Sequence, residues 1–126
     1  MKALAVLLLS AIAAVPASGA VPQGFSFGRS GGNIRPLEVT ISAAGRVTVD
    51  KERRGVVPQA RLRALHRLLE REGFATLPGR IVCKGVLPDV ATRHVFASGK
   101  SVSVRGGCNG RFDRVYAALA HVAGVT

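Results

Sequence analysis

The spacing of apolar residues along this chain switches between every second position and every third or fourth. That schedule restricts the fold more than any other feature. Phe25-Ser26-Phe27 alternates apolar and small. Leu37, Val39 and Ile41 alternate with Glu38, Thr40 and Ser42, and Val47 and Val49 alternate with Arg46, Thr48 and Asp50. A period of two marks a strand with one buried and one wet face. Ser30-Gly31-Gly32-Asn33 and Ala43-Ala44-Gly45 break these runs with turn chemistry, and the second break is short enough for an antiparallel hairpin. Lys51 to Val57 reads as a charged loop. The period then lengthens. Leu62, Leu65 and Leu69, with Leu68 at the margin, share one helical face, and Arg63, Arg67, Glu70 and Arg71 lie on the other side. Pro58 suits the first turn of this helix and Gly73 its end. Phe74 and Leu77 fold back onto the core, and Pro78-Gly79 prevents continuation.

Arg80 to Asp89 is irregular in pattern. Val90–Ala97 and Lys100–Arg105 return to strand character, joined by Ser98-Gly99, with Val102 and Val104 facing inward. Asn109 suits the N-cap of a second helix, whose apolar stripe is Phe112, Val115, Tyr116, Leu119 and Val122. The order β-β-β-α-β-β-α predicts a two-layer α+β domain. Its layers are an antiparallel sheet of about five strands and two helices packed on one face of that sheet.

The start of the chain suggests export. Met1-Lys2 is positive, Ala3 to Val15 is apolar apart from Ser10, and Pro16-Ala17-Ser18-Gly19-Ala20 supplies small residues. These are the three parts of a secretory signal peptide, with cleavage expected after Ala20. The apolar run falls short of the roughly 20 residues that span a bilayer, so no transmembrane anchor is expected after cleavage. The alternative is a buried apolar helix. Cleavage leaves residues 21–126 as a single secreted domain. In an oxidising compartment Cys83 and Cys108 are expected to form a disulfide, closing a loop of about 25 residues. A zinc site is the competing reading, but neither cysteine has a Cys or His two to four residues away. A reactive thiol would need a neighbour such as His94.

Eighteen basic residues stand against seven acidic ones, a formal net charge of +11. Such a surplus favours acidic partners, among them an anionic envelope or cell-wall polymer. The cations are scattered and aromatics are few, so the base-stacking groove of a nucleic-acid module is not expected. No acid/base pair, nucleophile elbow or phosphate-cradling loop is evident. His66, His94 and His121 read as packing or surface residues. The chain is therefore not expected to be an enzyme, and neither a cofactor nor a metal is implied.

One stretch stands apart from ordinary packing: Phe27-Gly28-Arg29-Ser30-Gly31-Gly32-Asn33-Ile34-Arg35. Read plainly it is a hairpin turn whose glycines supply positive φ. Read functionally it is a protruding loop, with Arg29, Ser30, Gly31, Gly32, Asn33 and Arg35 as candidate partner-binding residues. Phe27-Gly28-Arg29-Ser30-Gly31-Gly32, the strand pair after it, Leu65-His66-Arg67-Leu68-Leu69-Glu70 through Gly73-Phe74, and Leu77-Pro78 together resemble emfourin-like proteins. These are small bacterial inhibitors of thermolysin-type (M4) metalloproteinases. The resemblance runs from about Phe25 to Pro78 and is looser in the last hairpin and helix. This chain differs in its signal peptide, its cysteine pair and its Asn33-Ile34-Arg35 continuation. The resemblance implies a proteinase inhibitor that occludes a metalloproteinase cleft; the N-terminal pattern makes it a secreted one, and Arg29 and Arg35 would pair with acidic residues at the rim.

Overall fold

A computed structural model describes residues 24–125. The expected signal peptide and its cleavage site lie outside these residues. Strands β1 (Phe25–Ser30), β2 (Leu37–Ile41), β3 (Arg46–Val49) and β4 (Glu52–Val56) are followed by helix α1 (Gln59–Arg71) and a 3-10 turn at Phe74–Thr76. Then come β5 (Arg80–Val82), β6 (Thr92–Ala97), β7 (Lys100–Arg105) and helix α2 (Gly110–Ala123).

All seven strands join one sheet in the order β4-β3-β2-β1-β6-β7-β5. The first strand is thus the middle one, paired antiparallel with both β2 and β6. The α+β class and the two helices agree with the expectation, but the sheet does not. It has seven strands rather than about five, and it is mixed, because β5 runs parallel to β7. The stretch expected to be a charged loop is β4, and the irregular stretch begins with β5. Every residue of β4 is exposed, so its side chains carry no alternation and its place rests on backbone pairing with β3. The turn between them holds Asp50 and Lys51 at φ 48° and 71°. That is the paired left-handed geometry of a two-residue hairpin turn, built here without the usual glycine.

Alternation sends Phe25, Phe27, Val39, Ile41, Val47, Val49, Val95, Ala97, Val102 and Val104 to one face, all buried. Leu62, Leu65 and Leu69 of α1 and Phe112, Val115 and Leu119 of α2 complete a single core with them. Phe74 and Leu77 are buried as expected, and Gly73 leaves α1 at φ 64°. The Asn109 side chain accepts a hydrogen bond from the Phe112 amide at 2.9 Å, capping α2 as its position predicts.

The two helices are tied end to end. Arg114 donates twice to the Glu72 carboxylate, at 2.8 and 2.9 Å. This hydrogen bonding, helped by the charges of Arg114, Arg71 and Arg111 and opposed by burial, holds Glu72 below the usual carboxylate range. Both helices cover the same face. The other face carries Ser26, Glu38, Thr40, His94 and Phe96, and Phe96 is 44% exposed. No described helix is long and apolar enough to cross a membrane.

Candidate binding site at the loop end of the sheet

Leaving the central strand, the chain is exposed at every residue from Ser30 to Pro36. Gly31 and Gly32 both take positive φ, 76° and 63°, which only glycine adopts without strain. Beyond that their roles part. A Cβ on Gly31 would meet nothing within 4 Å. One on Gly32 would lie 2.3 Å from the Asp89 carbonyl oxygen and 3.0 Å from the Ala91 nitrogen. Gly32 is therefore a packing position where two backbones touch. The Asn33 amide seals that contact by donating to the Asp89 carbonyl at 3.3 Å.

The segment that supports the loop is itself held. Val90 donates its amide to the Leu87 carbonyl at 3.2 Å. Arg105 reaches back from β7, donating to the carbonyls of Val90 at 3.3 Å and Leu87 at 3.1 Å. Cys83 is bonded to Cys108, Cα to Cα 5.7 Å, which bears out the expected disulfide. Its amide donates to the Arg105 carbonyl at 3.0 Å. The Ser30–Pro36 loop, the 83–91 segment and the turn before α2 thus form one braced group at one end of the sheet. Exposed apolar side chains sit within or next to it: Leu87 is 65% exposed, Ile34 40%, and Val82, the last residue of β5, 54%.

Of the six residues singled out from the sequence, Ser30, Gly31, Gly32, Asn33 and Arg35 share this exposed loop. Arg29 does not. It stands two residues after Phe27, so strand parity sends its side chain to the helix side. There it lines a shallow depression of about 530 Å³ with Leu37, Val49, Arg54 and the end of α2 at Ala123–Val125. Its charge acts on Tyr116, whose phenol is pushed up by burial and drawn back by Arg29 and Arg93. A cation beside the end of a helix is well placed against the helix dipole.

The open sheet face holds a second polar group that sequence reading did not assemble. Glu38 and His94 both face Gly28 in register, one from each neighbouring strand. With no side chain at Gly28 between them, His94 Nε2 and Glu38 Oε2 meet at 2.8 Å, and Ser26 Oγ donates to Glu38 Oε1 at 2.8 Å. Here the carboxylate bridges the other two. Among the described residues no three His, Cys, Asp or Glu side chains converge to hold a metal ion. The polar positions of β1, β2 and β6 were legible, but the register that joins them was not.

No protein-family model, curated protein or solved structure matches this chain.

Proposed function

We propose that this chain is an extracytoplasmic inhibitor-like binding protein whose Ser30–Pro36 loop enters the cleft of a secreted metalloproteinase and occludes it. The observation that carries this reading is the exposed run from Ser30 to Pro36, braced at Gly32 and Asn33 against the Asp89 backbone. A loop that is both exposed and pre-set loses little entropy on binding and resists the local opening that a proteinase exploits. Arg35 brings positive charge to an acidic rim, and Ile34 with Leu87 brings apolar area. The protein performs no chemistry of its own in this reading. Arg29, turned to the helix side, acts as a support for the end of α2 rather than as a contact.

The test is inhibition of a panel of secreted metalloproteinases by the purified chain from residue 21 onward. Inhibition of at least one enzyme is expected, competitive with substrate. The double variant Ile34→Ser/Arg35→Ala should weaken it at least tenfold without moving the thermal melt. Wild-type protein that is folded yet inhibits none of the panel refutes the proposal.

A further inference from the structure

Helix α1 carries Arg63, Arg67 and Arg71 at successive intervals of four residues. At 3.6 residues per turn, neighbours in this series are about 6 Å apart along the axis and form one stripe about 12 Å long. The buried residues of the helix are Leu62, Leu65 and Leu69, and Arg67 lies almost diametrically opposite their mean direction. The stripe is therefore the outermost line of the helix layer. All three arginines are exposed, as is Arg61, and the ion pairs of the described residues involve none of them. Glu70 flanks the stripe, and Glu72 feels the charge of Arg71 but is bonded to Arg114. The first turn of the helix holds no acidic residue.

Like charges at this spacing oppose helix formation. Three arginines elsewhere differ in kind: Arg93 bridges Asp113 and the Gly106 carbonyl, Arg105 braces a loop, and Arg114 ties the two helices. The α1 arginines make no such structural bond. Their spacing is shorter than the Debye length of about 8 Å at physiological salt, so their fields add outside the protein. The planar guanidinium is also the side chain best suited to phosphate oxygens. No aromatic side chain interrupts the stripe, so bases would find no stacking platform.

From this geometry we infer that the outer face of α1 is a second binding surface, for a linear phosphate polymer recognised along its backbone. It lies away from the proteinase loop. His66 of α1 packs beside Phe25, with ring centroids 4.6 Å apart, at the opposite end of β1 from Ser30. The inference is independent of the inhibitor reading, and the two surfaces together would hold an inhibitor on an anionic envelope while its loop stays free.

The probe is inorganic polyphosphate, with affinity measured for the exported chain across a salt series. Neutralising three charges on a single-stranded polyanion weakens binding about 20-fold between 50 and 200 mM salt. The triple variant Arg63→Gln/Arg67→Gln/Arg71→Gln should lose at least tenfold in affinity and flatten that salt dependence. A control triple removes the same charge elsewhere, at the exposed Arg46, Arg53 and Arg80, and should lose less than threefold. Equal losses in the two triples would reduce the effect to net charge and overturn the assignment. Replacing the stripe by lysines keeps charge and helix, and should retain most of the salt slope at a few-fold lower affinity. Should binding to anionic lipid vesicles exceed binding to polyphosphate and resist competition by it, the surface is a membrane site and the inference is wrong. Proteinase inhibition by the stripe triple should remain at the wild-type level, whether or not the polymer binds.

Discussion

The two adjacent glycines of the Ser30–Pro36 loop give the sharpest test of how this end of the molecule is built. Both hold positive φ, so alanine at either position forces a left-handed residue, at about 1–2 kcal/mol. Gly31→Ala should cost only that, because its Cβ would stand in open space. Gly32→Ala carries the same strain and adds a Cβ 2.3 Å from the Asp89 carbonyl oxygen and 2.9 Å from its carbon. Those atoms are backbone and cannot rotate aside, so loop and support must separate. Overpacking of this kind costs about 1–3 kcal/mol, and the Asn33–Asp89 hydrogen bond, worth about 1 kcal/mol, is strained or lost with it. Gly32→Ala should therefore cost about 2–6 kcal/mol, roughly 1–4 more than Gly31→Ala. Urea melts with a common m-value measure the difference, and hydrogen exchange at the Asn33 amide locates it. Exchange should accelerate strongly in Gly32→Ala and little in Gly31→Ala. Equal destabilisation by the two substitutions, with Asn33 equally protected, would show that the Asp89 contact does not hold the loop.

Two further perturbations probe the supports. Replacing Cys83 and Cys108 by alanine should cost about 3 kcal/mol by releasing the closed loop and should speed exchange at Asn33; a loss under about 1 kcal/mol in denaturant melts would refute a bracing role. The Glu72 carboxyl, held low by Arg114, contributes stability that is present above the unfolded-state value of about 4.3 and fades as pH falls through the lower folded value. Arg114→Gln should raise the Glu72 titration midpoint toward the ordinary value and flatten the acid limb of stability; an unchanged midpoint, read by NMR of the carboxyl carbon, would refute the pairing.

Strands β1, β2, β3, β6 and β7 and both helices were legible because each sends a regular series of side chains into the core. What escaped lies at the two edges of the sheet, for one physical reason. An edge strand can be held by its backbone alone, and backbone pairing writes nothing into the side-chain pattern. β4 is exposed along its whole length, and β5 is three residues long with only Ile81 half-buried. Binary patterning senses burial rather than strandedness, so it stops where burial stops.

The same distinction explains the candidate site. The glycines announced the loop, because positive φ is a property of residue type. Its partner was silent: Asp89 meets Gly32 and Asn33 through its main-chain carbonyl, which any residue could supply. Arg29 shows the opposite case. It sits within β1, and its parity with Phe25 and Phe27 already assigned it to the helix side. Adjacency in sequence to Ser30 and Gly31 pointed the other way, and the structure follows parity. Within a strand, a side chain's face is settled by counting in twos from the core residues, and nearness to a turn carries no weight until the ladder ends. Ser30 is exposed but still paired, opposite Thr92, so the loop free of the ladder starts only beyond it. In the proposed inhibitor reading, the contact is then carried by Gly31 to Pro36 together with the Leu87 segment that supports them.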